Sequence, residues 1–292
     1  MTLTWKAPVA VKTLVAAIAS LGLIASAAPA LAAGGAHELK SGGFSFEGPF
    51  GAFDQGQLQR GYKVYREVCA SCHSMNLMHF RNLGDATGPF YDSHYPNPNE
   101  NPVIKALAAE IQVPDIDSET GEPMQRNATT ADKFPSPYPN ATAAAAANGG
   151  AAPPDLSVMA KARHGGADYI YSLLTGYHTP PAGLQIHAGQ NYNAYMAGDL
   201  TPFWSGDKAH VPPGGFIAMP PPLRQAGQVT YDDGTNASVD QMAKDVAAFI
   251  AWSSDPHATA RKQAGVGVMI FLLLFAGLTY ASYRRIWKGI AH

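Results

Sequence analysis

Cys69-Ala70-Ser71-Cys72-His73 decides the reading of this chain. Its two cysteines lie three positions apart, and a histidine directly follows the second. The C-x-x-C-H spacing is that of covalent haem attachment. Each thiol adds to one haem vinyl group, and about one turn of chain sets both sulfurs along one edge of the macrocycle. His73 then lies beneath the iron, where it can supply the proximal nitrogen. Two other uses of a C-x-x-C pair fit less well. A thioredoxin-like redox pair expects a strand–helix–strand setting, whereas Gln57 to Val68, just before the motif, reads as a helix. A structural zinc site normally takes four Cys/His ligands, and there is no second cysteine pair to complete one.

The two ends of the chain bear on its compartment. Residues 1–32 carry Lys6 and Lys12, an apolar stretch from Leu14 to Ile24, and Ala30-Leu31-Ala32, a small-x-small cleavage pattern. This predicts a secretory signal peptide; the apolar stretch is short for a retained anchor. With both cysteines given to haem, no disulfide is expected even in an oxidising compartment. Near the other end, Ala264 to Tyr283 is free of charge and rich in Leu, Phe, Ile, Val and Gly. Twenty residues of helix cover about 30 Å, the thickness of a bilayer core. Arg261 and Lys262 precede the span and Arg284, Arg285 and Lys288 follow it. The export signal breaks that near-balance and leaves the basic tail inside. The expected organisation is a signal peptide over 1–32, an exported domain over 33–258, and a membrane anchor with a short cytoplasmic tail over 259–292.

Residues 33–260 hold 13 Lys+Arg against 22 Asp+Glu, a formal charge of −9 hidden by the whole-chain value of −2. A negative surface argues against nucleic acid and suits a basic protein partner. Two acidic clusters could steer one: Asp115, Asp117, Glu119 and Glu122, and Asp232 with Asp233. The domain is long enough for one good core. Pro and Gly are abundant, and residues 92–102, 135–140 and 211–222 read as turns or extended chain. Helices are predicted from Asp54 to the haem motif, over Asn101–Ile111, Pro137–Asn148 and Ala167–Gly176, and from Ser238 as N-cap through Trp252. The last breaks at Asp255-Pro256 and resumes into the membrane. Few alternating runs suggest strands. The result is a mainly α haem domain with long loops, plus one C-terminal transmembrane helix.

An iron that only moves electrons needs a second axial ligand. Met75 and Met78 follow His73 too closely to reach the opposite haem face, and Met242 sits early in a helix. Met159, Met196 and Met219 remain, with His79, His94, His164, His178, His187 and His210. Met219 stands out, framed by Pro212, Pro213, Pro220, Pro221 and Pro222, because a stiff loop holds a weak thioether ligand at little entropic cost. The residues alone leave a histidine open as the alternative, and the other methionines read as core filling.

The haem motif is followed, in order, by several specific blocks: Pro153-Pro154-Asp155-Leu156-Ser157; Ala162-Arg163-His164-Gly165-Gly166; Tyr169 with Ser172-Leu173-Leu174-Thr175-Gly176-Tyr177; Ala218-Met219-Pro220-Pro221; Asp232-Asp233-Gly234; and Ala243-Lys244-Asp245-Val246. From about Phe46 to Lys288 the chain resembles the cytochrome c1 family, the haem subunit of quinol–cytochrome c oxidoreductase. The resemblance implies a class I cytochrome c-like fold with insertions and one haem c per chain. It implies attachment through Cys69 and Cys72, axial ligation by His73 and Met219, and export before haem ligation. It also implies that Arg126, ahead of Phe134-Pro135-Ser136-Pro137-Tyr138-Pro139, pairs with a haem propionate. Its implied partners are cytochrome b, a Rieske iron–sulfur protein as donor and a soluble or anchored cytochrome c as acceptor. The implied place is the bacterial inner membrane, with the haem domain in the periplasm. The chain departs from the family at Lys133, where an aromatic residue is common, and in lacking an extra cysteine pair near the methionine. The Tyr177–Trp204 insertion is therefore expected to hold by packing, with Tyr192, Tyr195, Phe203 and Trp204 as anchors.

Met/His ligation leaves iron no open position, so the expected function is one-electron relay. The rival readings are a membrane-anchored monohaem enzyme and a haem sensor with an open iron. Enzymes of that kind tend to use an open iron or several haems, and a sensor is expected to carry an output domain beyond its span.

Overall fold

The computed structural model describes residues 37–289; the signal-peptide reading of 1–32 lies outside them. The described chain is mainly helical, as expected, with long loops between short elements.

Helix α1 (Gln55–Glu67) starts where Asp54 accepts the Gln57 amide at 2.6 Å, an N-cap bond that satisfies one of the first-turn donors. Leu58, Tyr62 and Tyr65 recur at helical spacing and are buried on one face with Val64. Helix α5 (Val239–Ser254) starts at Ser238, whose hydroxyl caps the Gln241 amide, and it is buried nearly all round. The two helices cross at the core. Gly61 makes the crossing close: a Cβ there would run into the Asp245 carbonyl oxygen and sit 2.7 Å from the Phe249 Cβ. Tyr62 and Tyr65 lean on Phe249 at 5.7 Å between ring centroids, and Phe134 stacks on Tyr65 at 5.9 Å. The one buried carboxylate in this crossing is satisfied. Asp245, with its side chain 0% exposed, accepts Arg60 Nε at 3.0 Å and Gln241 Nε2 at 2.9 Å. Removing one partner of such a pair would leave the other charge uncompensated in the core.

Helix α2 (Pro102–Ala109), capped by Asn101, and helix α4 (Gly166–Leu174), entered through Gly165 at φ +86°, are found where the sequence placed them. Helix α3 (Ala141–Ala147) is shorter than the expected Pro137–Asn148, because Pro137 and Pro139 keep their segment extended and Asn140 caps the Ala143 amide. Two antiparallel strand pairs were not foreseen: β1 (Gln112–Ile116) with β2 (Pro123–Asn127), and β3 (Asn191–Asn193) with β4 (Gly215–Ile217).

The insertion holds by packing. Tyr192, Ala194 and Leu200 form a second small core with Leu184, Tyr195, Val211 and Phe216 around it. Phe203 meets Phe216 edge-on at 5.2 Å, and Trp204 bridges to Leu184 and donates its indole N–H to the Asp207 carbonyl.

Helix α5 stops at Asp255, and helix α6 (Ala258–Ile286) is long and apolar enough to cross a membrane, with none of its apolar window buried against the rest of the chain. Asp255 grips Arg261 through both oxygens and Lys161 at 3.1 Å, which braces the joint. Ending the chain after Asp255 is expected to free the remaining domain from washed membranes. Retention of that fragment in the membrane pellet, with partner subunits removed, would place the anchor elsewhere.

Candidate haem site

Helix α1 delivers the haem motif. Past Val68 the chain tightens into a single turn of 3-10 helix over Cys69–Ser71, and the Cys69 carbonyl accepts the amides of both Cys72 (3.1 Å) and His73 (2.9 Å). The i-to-i+3 bond brings the two cysteines to neighbouring positions on one turn. Both thiols are free and half-buried. Burial pushes the Cys69 thiol up to about 12, with the neighbouring Cys72 adding to it. A redox-active cysteine needs the opposite, a depressed pKa. Burial thus works against a thiolate at Cys69, which the attacking thiol of a redox pair would need.

The His73 ring is fixed at one of its two nitrogens. Its Nδ1 lies 2.7 Å from the Pro154 carbonyl oxygen, which accepts only a hydrogen bond, so Nδ1 carries the proton. The other nitrogen, Nε2, keeps its lone pair and has no hydrogen-bond partner among the described residues. Burial also lowers the His73 pKa, which disfavours the charged ring. The Pro154 carbonyl is held in turn by Asp155. That carboxylate accepts the Ser74 hydroxyl (2.8 Å) and the Asn76 amide (2.7 Å) from the segment after the histidine, and the Ser157 amide (2.8 Å) from its own. The Leu156 amide closes the ladder on the Ser74 carbonyl. Burial opposes the Asp155 charge, but these donors outweigh it and hold the carboxyl below its ordinary range. The sequence alone assigns Pro153–Ser157 no role. The Asp-x-Ser turn composition was the available signal.

The methionines sort themselves by burial. Met75, Met78 and Met242 are sealed in the main core and Met159 packs against it, while the Met196 sulfur accepts the Tyr169 hydroxyl at 3.8 Å. Met219 is half-buried, and its sulfur has no partner among the described residues. Its backbone is pinned from the insertion: Tyr177 Oη donates to the Met219 carbonyl at 3.1 Å, and Asn191 Nδ2 reaches the same oxygen at 3.3 Å. The β3–β4 pairing holds the strand that leads into the loop. Gly214, at φ +106°, lets that strand approach, since a Cβ there would sit 2.5 Å from the Asn193 carbonyl oxygen. Neither Tyr177 nor Asn191 was singled out as a support, because both act from distant sequence positions.

Arg126 lies on β2. Its guanidinium forks onto Asp132 at 2.7 and 2.9 Å, donates to the Asn127 carbonyl at 3.1 Å and pairs with Asp115. Of its five N–H donors, one on Nη2 is left over by these bonds. The Arg126 contacts hold the Asp132 carboxyl well below its usual range. The acidic clusters differ in the same way. Asp232 and Asp233 are answered by Lys63 (2.8 Å) and Arg60 (2.7 Å), whereas Glu119 and Glu122, at the β1–β2 turn, form no ion pair among the described residues. Among the described residues no three His, Cys, Asp or Glu side chains gather into a metal-binding cluster. The two thiols and the imidazole nitrogen of the motif are donors that fit a covalently attached haem.

Known proteins bear on this arrangement. The Cytochrome C1 family profile matches residues 44–290. The chain is 41% identical over 280 residues to the cytochrome c1 of Rhodospirillum rubrum, covering 92% of this chain and 97% of that one. It is 43% identical over 239 residues to the mitochondrial cytochrome c1-2 haem protein of Solanum tuberosum, covering 82% and 81%. It also matches the cytochrome b/c1 of Bradyrhizobium diazoefficiens at 42% identity over 263 residues, spanning 84% of this chain but only 35% of that longer protein. With the profile running from the first core phenylalanine to beyond the membrane helix, the chain belongs to the cytochrome c1 family.

Proposed function

We propose that the chain relays single electrons from a Rieske iron–sulfur protein to a cytochrome c, as an anchored subunit beside cytochrome b. Family membership makes it an electron-transfer subunit of an oxidoreductase complex rather than a catalyst in its own right. The observation that carries the detailed reading is the His73–Pro154 hydrogen bond, which fixes the tautomer a metal ligand needs. A haem c, held through Cys69 and Cys72, would supply the one-electron iron couple. His73 Nε2 and the Met219 sulfur would both be given to the iron, so that no site is left for a substrate. Arg126 would offer its remaining N–H to a propionate while Asp115 and Asp132 hold its plane in place. Glu119 and Glu122 would draw in a basic acceptor through the charge they keep free. The bacterial inner membrane, with the haem domain in the periplasm, is the setting supported by the basic residues after the span and by the export signal.

Carbon monoxide separates relay from the rival readings. The reduced, haem-loaded chain is expected to bind it negligibly; ready binding would mean an open iron and return the enzyme or sensor reading. Tyr177→Phe tests the support of Met219. It removes one hydrogen bond of about 1 kcal/mol and leaves the Asn191 contact. The sulfur-to-iron absorption band should then be lost at lower temperature than in the native protein, with haem attachment unchanged. An identical melting profile of that band would show that the phenol does not restrain the loop.

A further inference from the structure

Four phenylalanines lie in the ten residues from Phe44 to Phe53, and three of them pack together. Phe44 stacks on Phe46 at 5.0 Å between centroids, and Phe46 meets Phe53 at 4.5 Å. The fourth, Phe50, is 81% exposed. The loop that presents it is closed at its neck, where the Ala52 amide donates to the Ser45 carbonyl (3.1 Å) and the Ser45 hydroxyl to the Ala52 carbonyl (2.9 Å). It turns at Gly48, φ +71°, and at Gly51, where any Cβ would strike the Glu47 carbonyl oxygen. Such a neck holds a conformation in which Phe50 stands outward.

The loop is also tied to the root of the membrane helix. Lys262 donates its ammonium to the Phe46 carbonyl, and the Phe53 amide reaches Thr259 Oγ1 at 3.4 Å. Thr259 and Lys262 precede the start of the apolar run at Ala264 by five and two residues, about 7 and 3 Å along a helix axis. The interfacial layer on each side of a bilayer core is roughly 5–8 Å deep. The loop is therefore hydrogen-bonded at interfacial depth. Its single charge, Glu47, has its carboxyl pushed up by burial and by the nearby Asp168, with Lys262 acting the other way, so the loop holds its one charge weakly. Trp and Tyr are the rings enriched in this layer, and Phe is among the side chains that interfacial segments bury at its boundary with the acyl chains.

We propose that Phe50 inserts into the outer headgroup region of the bilayer, so that the domain meets the lipid surface at a second point beside its anchor. The proposal rests on α6 spanning the membrane and does not depend on the axial ligands. The test places a nitroxide on Phe50→Cys in the full chain within its purified complex in lipid nanodiscs. A second label on Ser118→Cys, at the exposed β1–β2 turn, serves as the aqueous reference, and mass spectrometry confirms each labelled site. The ratio of oxygen to nickel-chelate accessibility is expected to be severalfold higher at 50 than at 118. A ratio equal to that at 118 would put Phe50 in water. Shelter from both reagents would put it against another subunit. Either overturns the proposal. The native chain gives a check without substitution: a photoactivatable phosphatidylcholine in the same nanodiscs should label the Phe44–Phe53 peptide, and adducts confined to α6 would count against insertion.

Discussion

Met219→Leu is expected to lower the haem reduction potential by on the order of 0.1–0.3 V, a fraction of the ~0.8 V that axial ligands span. Leucine nearly matches methionine in volume and removes only the sulfur. The supports of the loop are all backbone contacts: the Tyr177 and Asn191 bonds end on the Met219 carbonyl, and β3 pairs with β4 through main-chain groups. The side chain can therefore change without the loop moving. Thioether ligation favours the reduced iron, so its loss shifts the balance toward the oxidised form. Attachment through Cys69 and Cys72 should survive, and carbon monoxide should now bind. Potentiometric titration with optical detection reads all three effects. A variant with the native potential and an intact sulfur-to-iron band would remove Met219 from the iron.

Gly61→Ala carries the largest expected structural cost for one added methyl group. By helix propensity alone the change should stabilise α1 by ~1 kcal/mol. Packing reverses the sign, because the new Cβ meets the Asp245 carbonyl oxygen and the Phe249 Cβ, both on a helix with no room to retreat. Overpacking of this kind costs about 1–3 kcal/mol, occasionally more. A net loss of about 2 kcal/mol would lower the melting temperature of a domain this size by about 4–8 °C. Gly56→Ala supplies the contrast. It lies in the first turn of the same helix, where the nearest atoms to a new Cβ are at 3.5 and 3.6 Å, so propensity alone should act and the protein should gain slightly. Equal melting shifts of the same sign for the two variants would show that the crossing is looser than the structure has it.

Legibility in the sequence followed the range of the interactions involved. Helices α1 and α5 could be read because their signals are local: Asp54 and Ser238 cap them, and apolar residues recur at three and four. The break at Asp255-Pro256 and the apolar helix beyond it are equally local. The β1–β2 pair could not be read, since only Val113 of β1 is buried and its neighbours show no alternation. Strands β3 and β4 are three residues each and exist only because the insertion folds back on the Met219 loop. The site divides the same way. Two cysteines and a histidine in five residues announce themselves, and proline framing singles out Met219. The Pro154 carbonyl is a backbone atom with no signature, and Tyr177 and Asn191 act across 42 and 28 residues of chain. Arg126 was legible as a cation but not as one already held between Asp115 and Asp132. Asp232 and Asp233 read as free charge in sequence, because their partners Lys63 and Arg60 lie about 170 residues away on α1.

The bond from Tyr177 to the Met219 carbonyl has a kinetic meaning. A site that gains and loses one unit of charge at every turnover hops most readily when its atoms scarcely move between the two states. Each ångström of slack in a ligand-bearing loop adds reorganisation energy to every hop. Groups fixed in advance avoid that cost at the moment of transfer. If Met219 and His73 hold the iron as proposed, a phenol, an amide and a short strand pair take up the slack on the methionine side, as the Asp155 turn does on the histidine side. On this view the insertion is a damper, and its loss should be felt in the rate of self-exchange between oxidised and reduced molecules before it is felt in stability.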